Sequence, residues 1–115
     1  MNADQPGPTV SAVVLTMGTR PEELARGLAS LQAQRGVDLD IVCVGNGWRP
    51  TDLPDGVDGL FLPENVGACG GRNAGANATS GEIIFFFDDD AWLTDPSFLQ
   101  RAVSAFRSFP DLGIL

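Results

Sequence analysis

Residues 82–90 read EIIFFFDDD, and this stretch decides the fold. Its five consecutive apolar residues, Ile83 to Phe87, are typical of a short strand that is buried on both faces. Three carboxylates follow directly, at Asp88, Asp89 and Asp90. Such a strand belongs in a mainly parallel sheet covered by helices on both sides. The acidic end then lies at the carboxyl edge of the sheet, where these folds bind ligands.

The rest of the chain repeats this alternation of buried strands and helices. We predict one domain over residues 9–115, preceded by a flexible tail at 1–8. The sequence pattern predicts strands at 10–15, 40–44, 59–62 and 82–87, and the first residues of a fifth strand at 113–115. It predicts helices at 21–34 and 72–79, with a loop at 63–71 before the second helix. A third helix is predicted to begin at Pro96, with Asp95 as its N-cap. This order predicts a three-layer α/β/α fold with a Rossmann-like, mainly parallel sheet.

The composition excludes several kinds of partner. The 115 residues carry a net charge of −8 and contain no histidine. An acidic surface repels nucleic acid, so we expect no nucleic-acid partner. No apolar run reaches the length of a transmembrane segment and the first residues do not resemble a signal peptide, so we predict a cytoplasmic location. Two cysteines, Cys43 and Cys69, without histidine argue against a zinc site or a disulfide framework.

The three adjacent aspartates are the first candidate site. They repel one another, so their position requires a compensating positive group. In an extended chain Asp88 and Asp90 point to one side and Asp89 to the other. Two carboxylates on one side suit Mg²⁺ or Mn²⁺, which shares its remaining positions with phosphate oxygens and waters. The alternative is a polar strand end followed by helix-capping acids.

The glycine-rich segment at 65–75, NVGACGGRNAG, is the second candidate. Its glycines allow the backbone to approach a ligand and to open a helix N-terminus toward an anion. Arg72 offers a fork of donors to a phosphate. The spacing fits neither the dinucleotide-binding GxGxxG pattern nor the P-loop, which needs a lysine. The alternative is a flexible loop followed by a closely packed helix.

Two further turns follow predicted strands. Residues 16–21, TMGTRP, come after the first strand, and residues 45–47, GNG, come after the second. Alone, the first turn fits ordinary helix capping. Because the carboxyl ends of parallel strands share one edge, both turns are expected to lie beside the acidic strand end.

Together these segments resemble the family 2 glycosyltransferases with a GT-A fold. The resemblance rests on VVLT at 13–16 with Arg20 and Pro21, on the segment at 65–75, and on FFDDDA at 86–91, in that order. The pairing of Gly-Gly-Arg-Asn with three aspartates is most similar to rhamnosyltransferase- and galactofuranosyltransferase-type members.

The resemblance implies an activity and a set of site residues. The activity is inverting transfer of a sugar from a UDP- or dTDP-sugar to an acceptor hydroxyl, assisted by Mn²⁺ or Mg²⁺. The implied metal ligands are Asp88 and Asp90. The implied nucleotide-sugar-binding residues are Thr16, Arg20, Asn46, Gly67, Arg72, Asn73, Asp88 and Asp89. The implied setting is a bacterial enzyme of cell-envelope polysaccharide synthesis.

Two departures from the family matter. After the second strand the family often has an acid that contacts the nucleobase, but Gly45 stands in that place. The family's catalytic base lies in an acceptor half, so we expect it downstream of Leu115 and expect no catalytic residue in this chain. We therefore predict a donor-binding domain that is incomplete at its C-terminus.

Other expectations concern partners and competing functions. The expected partners are a nucleotide-diphosphate sugar and, through the acceptor half, a glycan or lipid-linked acceptor in a membrane-peripheral full-length enzyme. Apolar surface at the sheet edge would favour a homo-oligomer. The alternatives are a non-catalytic nucleotide-binding α/β module and a flavodoxin- or Rossmann-like oxidoreductase. Gly45 and Asn46 argue against the latter, which needs an acid after its second strand.

Overall fold

A computed structural model of the chain describes residues 9–115, so the tail predicted at 1–8 lies outside the described residues. The described elements are β1 (Val10–Thr16), α1 (Pro21–Gln32), β2 (Leu39–Asn46), β3 (Val57–Leu62), α2 (Gly67–Asn77), β4 (Ile83–Asp88) and α3 (Phe98–Ser108). The four strands form one sheet in the order β3-β2-β1-β4, and every neighbouring pair is parallel. This confirms the predicted α/β class.

The alternation of side chains along β1 divides the core between two faces of the sheet. On one face, Ala12 and Val14 pack against α1, and Val10 packs against α3. On the other face, Val13 packs with Val44 of β2 beneath α2. The central strands are therefore covered on both sides, which explains why they are continuously apolar. Burial of each of these valine side chains contributes about 1.5–3 kcal/mol.

The first helix follows the sequence pattern closely. Pro21 occupies its first turn, and three leucines, Leu24, Leu28 and Leu31, form its buried face. These leucines recur at spacings of three and four residues, which places them on one side of a helix. The helix ends at Gln32, two residues before the predicted end, and Gly36 follows with a φ of 74°.

The second helix begins earlier than its sequence predicts. α2 spans Gly67–Asn77, whereas the pattern predicts a loop at 63–71 and a helix at 72–79. The reason is packing. A Cβ atom on Gly71, which lies in the predicted loop, would be 2.5 Å from the side chain of Leu15 in the sheet. The glycines allow close contact between helix and sheet, and this outweighs their low helix propensity of about 1 kcal/mol each.

The predicted start of the third helix is also wrong. α3 spans Phe98–Ser108 with Ser97 at the N-cap, so Pro96 precedes the helix. Asp95 accepts a hydrogen bond from the N–H of Ser97 at 2.8 Å, in a turn before the helix. This bond, together with the ion pair to Arg101, holds the pKa of Asp95 below its ordinary value.

Two polar side chains, Ser30 on α1 and Gln34 just after it, join this helix to the segment that follows β4. The Ser30 hydroxyl accepts a hydrogen bond from the N–H of Leu93 at 2.9 Å. The Gln34 amide donates to the carbonyl of Asp95 at 2.8 Å and accepts from the N–H of Leu99 at 2.9 Å. Gln34 therefore satisfies an N-terminal N–H group of α3, a role that the sequence pattern assigned to Asp95.

The sheet ends at β4 within residues 9–115. Residues 113–115, predicted to begin a fifth strand, form no strand. Ile84 and Phe86 on β4 are partly exposed, since α2 packs over β1 and β2. No helix in this part of the chain is long and apolar enough to cross a membrane.

Candidate functional site

The strand register aligns the segments singled out in the sequence. Leu15 pairs with Asp88 across the β1–β4 contact, and Thr16 pairs with Gly45 across the β1–β2 contact. Asn46 pairs with Leu62 at the end of β3. Because all four strands run in the same direction, their polar ends lie along one edge of the sheet.

Thr16 is the buried centre of this edge. Its side chain is 2% exposed, although it carries a hydroxyl. The hydroxyl donates a hydrogen bond to a carboxylate oxygen of Asp89 at 2.9 Å and accepts one from the N–H of Gly18 at 3.1 Å. Both functions of the hydroxyl are thus used, and the end of β1 is tied to the turn after β4.

Arg20 supplies a positive charge that the acidic cluster needs. It occupies the N-cap position of α1, directly after the β1 turn. Its guanidinium lies 2.7 Å from a carboxylate oxygen of Asp90 and 3.6 Å from one of Asp89. The Asp89 side chain is 16% exposed, while those of Arg20 and Asp90 are about half exposed. Solvent screening therefore limits the Arg20–Asp90 pair to about 1 kcal/mol.

Asp88 is directed to the opposite side of the sheet. Its carboxylate lies 3.5 Å from the guanidinium of Arg72 on α2, and both side chains are exposed. The expectation that Asp88 and Asp90 share one side is therefore wrong. The chain leaves the extended conformation after Asp88, where the N–H of Ala91 donates to the Asp88 carbonyl at 3.2 Å. This turn brings Asp89 and Asp90 to Arg20.

Asn46 lies at the end of β2 and is 5% exposed. Its amide oxygen accepts from the N–H of Val66 at 2.9 Å, and its amide nitrogen donates to the carbonyl of Gly67 at 3.1 Å. The Asn46 side chain therefore contacts the start of α2, where Gly67 has a φ of 81°. Asn73, also predicted as a site residue, is exposed on α2 and forms no side-chain hydrogen bond within residues 9–115.

The turn after β2 has no room for a side chain at Gly45. A Cβ atom there would lie 1.9 Å from the carbonyl oxygen of Trp48, which folds back over the strand end. The Trp48 ring in turn covers Gly18, whose φ is 77°. A cavity of about 360 Å³ opens between Trp48 and α1, and its apolar lining includes Leu24 and Leu28.

The donor set suits a metal ion only in part. Within residues 9–115 no three carboxylate or thiol side chains are close enough together to enclose a metal ion. Mg²⁺ is commonly held by one or two carboxylates, with substrate phosphates and waters completing the octahedron. The chemistry of Asp88–Asp90 therefore fits an ion shared with a phosphate ligand rather than an ion enclosed by protein alone.

Several contributing residues were not found from the sequence. Ser30 lies on α1 and Gln34 lies two residues after its end, away from every motif, and their role depends on the tertiary contact with the segment after β4. Trp48 lies outside the motifs singled out in the sequence. The one signal available for it was its place two residues after a strand end, beside Gly47.

Comparison with known proteins identifies the class. The sequence matches the family model described as Glycosyl transferase family 2 over residues 11–114. The chain therefore belongs to this family, as its motifs predicted. It is 30% identical to an uncharacterized glycosyltransferase of Nostoc sp., in an alignment that covers 90% of this chain and 35% of that protein.

Solved structures share the fold of this chain. The fold is similar to the mannosyltransferase PcManGT from Pyrobaculum calidifontis in complex with GDP-Man and Mn²⁺, with a TM-score of 0.74, 23% identity, and coverage of 87% of this chain and 32% of that one. It is also similar to S. aureus TarS 1-349, with a TM-score of 0.70, 19% identity and the same two coverages. The chain thus has the GT-A-type fold and spans about a third of the length of these relatives.

Proposed function

We propose that this chain binds the nucleotide-diphosphate sugar of a glycosyltransferase reaction in which the sugar passes to an acceptor hydroxyl with inversion. The observation that carries the proposal is the acidic strand end, Asp88–Asp90, which lies at the carboxyl edge of the sheet between Arg20 and Arg72. Family membership supports it, as does the structural similarity to PcManGT, whose structure contains GDP-Man and Mn²⁺.

Asp88 and Asp90 are the proposed ligands of Mn²⁺ or Mg²⁺. When bound, the ion would neutralise the negative charge that develops on the departing nucleoside diphosphate. Asp88 contacts Arg72 and Asp90 contacts Arg20, so each proposed ligand has an arginine beside it. The two guanidiniums flank the acidic strand end, one from each side of the sheet, and each offers fork-shaped donors to phosphate oxygens. We assign Arg20 and Arg72 to the diphosphate.

Thr16 and Asp89 are proposed to shape the nucleotide end of the site. Their mutual hydrogen bond fixes the β1 turn against the acidic strand end. Asp89 is the least exposed of the three aspartates. A carboxylate held in this way is pre-organised to accept a hydrogen bond from a donor group such as a ribose hydroxyl.

The identity of the donor remains a prediction. We retain UDP- or dTDP-sugars. Gly45, where a side chain has no room, stands at the position for which the family resemblance implies an acid that contacts the nucleobase. We also predict a rhamnosyl or galactofuranosyl donor and a glycan or lipid-linked acceptor. The predicted location is cytoplasmic or membrane-peripheral, and the catalytic base is predicted to lie beyond Leu115. The residues described here are proposed to serve the leaving-group part of the reaction.

Calorimetric titration tests this proposal. UDP, dTDP and GDP are titrated into the chain with and without Mn²⁺, and into Asp90→Asn, Asp88→Asn and a matched control, Asp111→Asn, at an exposed position beyond α3. We expect Mn²⁺-dependent binding that Asp111→Asn preserves and that each of the other two weakens by about tenfold or more, equivalent to about 1.4 kcal/mol.

Two results would contradict the proposal. The first is equal affinity in all four proteins, which would show that Asp88 and Asp90 do not contribute to nucleotide binding. The second is tight binding that does not change when Mn²⁺ is omitted, which would show that a metal ion takes no part in nucleotide binding. A nucleotide-binding module without transferase activity would still bind, so the transfer reaction itself is measured on the full-length protein with a labelled donor.

A further inference from the structure

The start of α2 is held to the sheet by one buried side chain. Asn46 is the last residue of β2, and both of its polar atoms contact the backbone just before and at the first residue of the helix. The Oδ1 atom accepts from Val66 and the Nδ2 atom donates to Gly67. At 5% exposure the side chain has little access to solvent. An amide donates through its nitrogen and accepts through its oxygen, so one uncharged side chain makes both bonds on two separate atoms.

The rest of α2 rests on the sheet through glycines. A Cβ atom on Gly71 would lie 2.5 Å from the Leu15 side chain and 3.4 Å from the Nδ2 atom of Asn46. Glycine contacts fix the distance between helix and sheet, but they form no directional bonds that fix how far the helix slides or turns. The two hydrogen bonds of Asn46 supply that direction at the N-terminal end.

Arg72 lies on this same part of the helix. It directly follows Gly71, and its guanidinium is 3.5 Å from the Asp88 carboxylate at the end of β4. Asn46 lies on β2, on the far side of β1 from β4. The position of Arg72 relative to Asp88 therefore depends on how α2 is placed across β1 and β2.

We propose that Asn46 is a positioning residue, which fixes the first turns of α2 to the end of β2 and thereby places Arg72 at the acidic strand end. This inference rests on the proposed function, because it assigns Arg72 to the nucleotide diphosphate. It differs from the sequence-based prediction that Asn46 contacts the nucleotide sugar itself. Both polar atoms of Asn46 are already bonded to backbone, so its effect on the ligand passes through the helix.

Two substitutions separate this role from direct contact. Asn46→Asp has almost the same shape and keeps the acceptor for Val66, but it places a carboxylate against the carbonyl of Gly67. Asn77→Asp makes the same chemical change at an exposed position at the other end of α2 and serves as the matched control. Hydrogen exchange without ligand is measured first. We expect faster exchange confined to residues 66–72 in Asn46→Asp and no such change in Asn77→Asp.

A double-mutant cycle with Arg72→Ala then tests the coupling. The probe is UDP with Mn²⁺, or whichever of UDP, dTDP and GDP the wild-type chain binds most tightly. We expect Asn46→Asp and Arg72→Ala each to weaken binding by about tenfold and the double variant to bind about as Arg72→Ala alone does. This non-additivity is the result expected when Asn46 acts through Arg72.

Other outcomes overturn the inference. Additive losses of about a hundredfold would show that Asn46 and Arg72 act independently. Weaker binding without faster exchange at 66–72 would indicate that Asn46 contacts the nucleotide directly. Faster exchange without weaker binding would show that the position of α2 does not affect nucleotide binding. If the wild-type chain binds none of the three nucleotides, the proposed function fails as well. That result is distinct, because it is seen before any variant is compared.

Discussion

Substitution of Thr16 tests the central contact of the site most sharply. Thr16→Val keeps the shape of the side chain but removes the hydroxyl that donates to Asp89 at 2.9 Å and accepts from Gly18 at 3.1 Å. A hydrogen bond to a charged group contributes about 1.5–3 kcal/mol to stability. Because Thr16 is 2% exposed, water cannot replace the lost partner. We expect the free energy of unfolding to fall by about 2 kcal/mol, or roughly 30-fold in the folded-to-unfolded ratio.

The assay is urea denaturation of four proteins: wild type, Thr16→Val, Asp89→Ala and the double variant. The coupling energy between the two positions is expected to be about 1.5 kcal/mol, with unchanged m-values. Thr16→Ser is the matched control, since it retains the hydroxyl and loses only a methyl group, at a cost of about 1 kcal/mol. Equal losses in the Val and Ser variants, with a coupling energy within about 0.5 kcal/mol of zero, would refute the reasoning.

Three further predictions concern the scaffold and the thiols. Gly75→Ala is expected to lower the free energy of unfolding by about 1–3 kcal/mol in urea because its Cβ would overlap the sheet, whereas Gly113→Ala, with nothing within 4 Å, should stay within about 0.5 kcal/mol of wild type. Gln34→Ala is expected to cost about 1–3 kcal/mol because it leaves an N-terminal N–H of α3 without its side-chain partner, and an unchanged midpoint would contradict this. Burial raises the pKa of the Cys43 thiol to about 11, so a thiol reagent at pH 8 should label the exposed Cys69 in the folded chain and both thiols only in denaturant. Rapid labelling of both thiols without denaturant would contradict the buried position of Cys43.

The sheet could be predicted from sequence because its signals are local. Continuous apolar runs mark β1, β2 and β4, and each structural strand contains or closely overlaps the predicted one. α1 was equally clear, since proline at its start and leucines at helical spacing agree with each other. The start of α2 was missed because glycine signals a loop in isolation. The contact of Gly71 with Leu15 in the sheet, which the sequence does not show, explains why these glycines belong to a helix.

The location of the candidate site could be predicted from the sequence, but the contacts between its side chains could not. Motif order and strand direction placed Asp88–Asp90 beside the β1 turn and α2, where the structure has them. The pattern of alternating side chains failed after Asp88 because the chain turns there. The arginine that pairs with each carboxylate depends on which helix begins close to it in the folded chain. That is a tertiary property, and no local pattern carries it.

The central claim is that the acidic strand end binds a metal ion together with the nucleoside diphosphate. The most direct test is paramagnetic broadening by Mn²⁺ in NMR spectra of the ¹⁵N-labelled chain. The spectra are recorded with the nucleoside diphosphate that binds most tightly. If the acidic strand end holds a metal shared with the diphosphate, amide signals of Thr16–Arg20, Gly67–Arg72 and Asp88–Asp90 will broaden at low Mn²⁺. Those at the opposite ends of the strands, such as Val10 and Leu39, will stay sharp. The account also predicts much weaker broadening when the nucleotide is omitted. Broadening centred elsewhere, or the same with and without nucleotide, would contradict it.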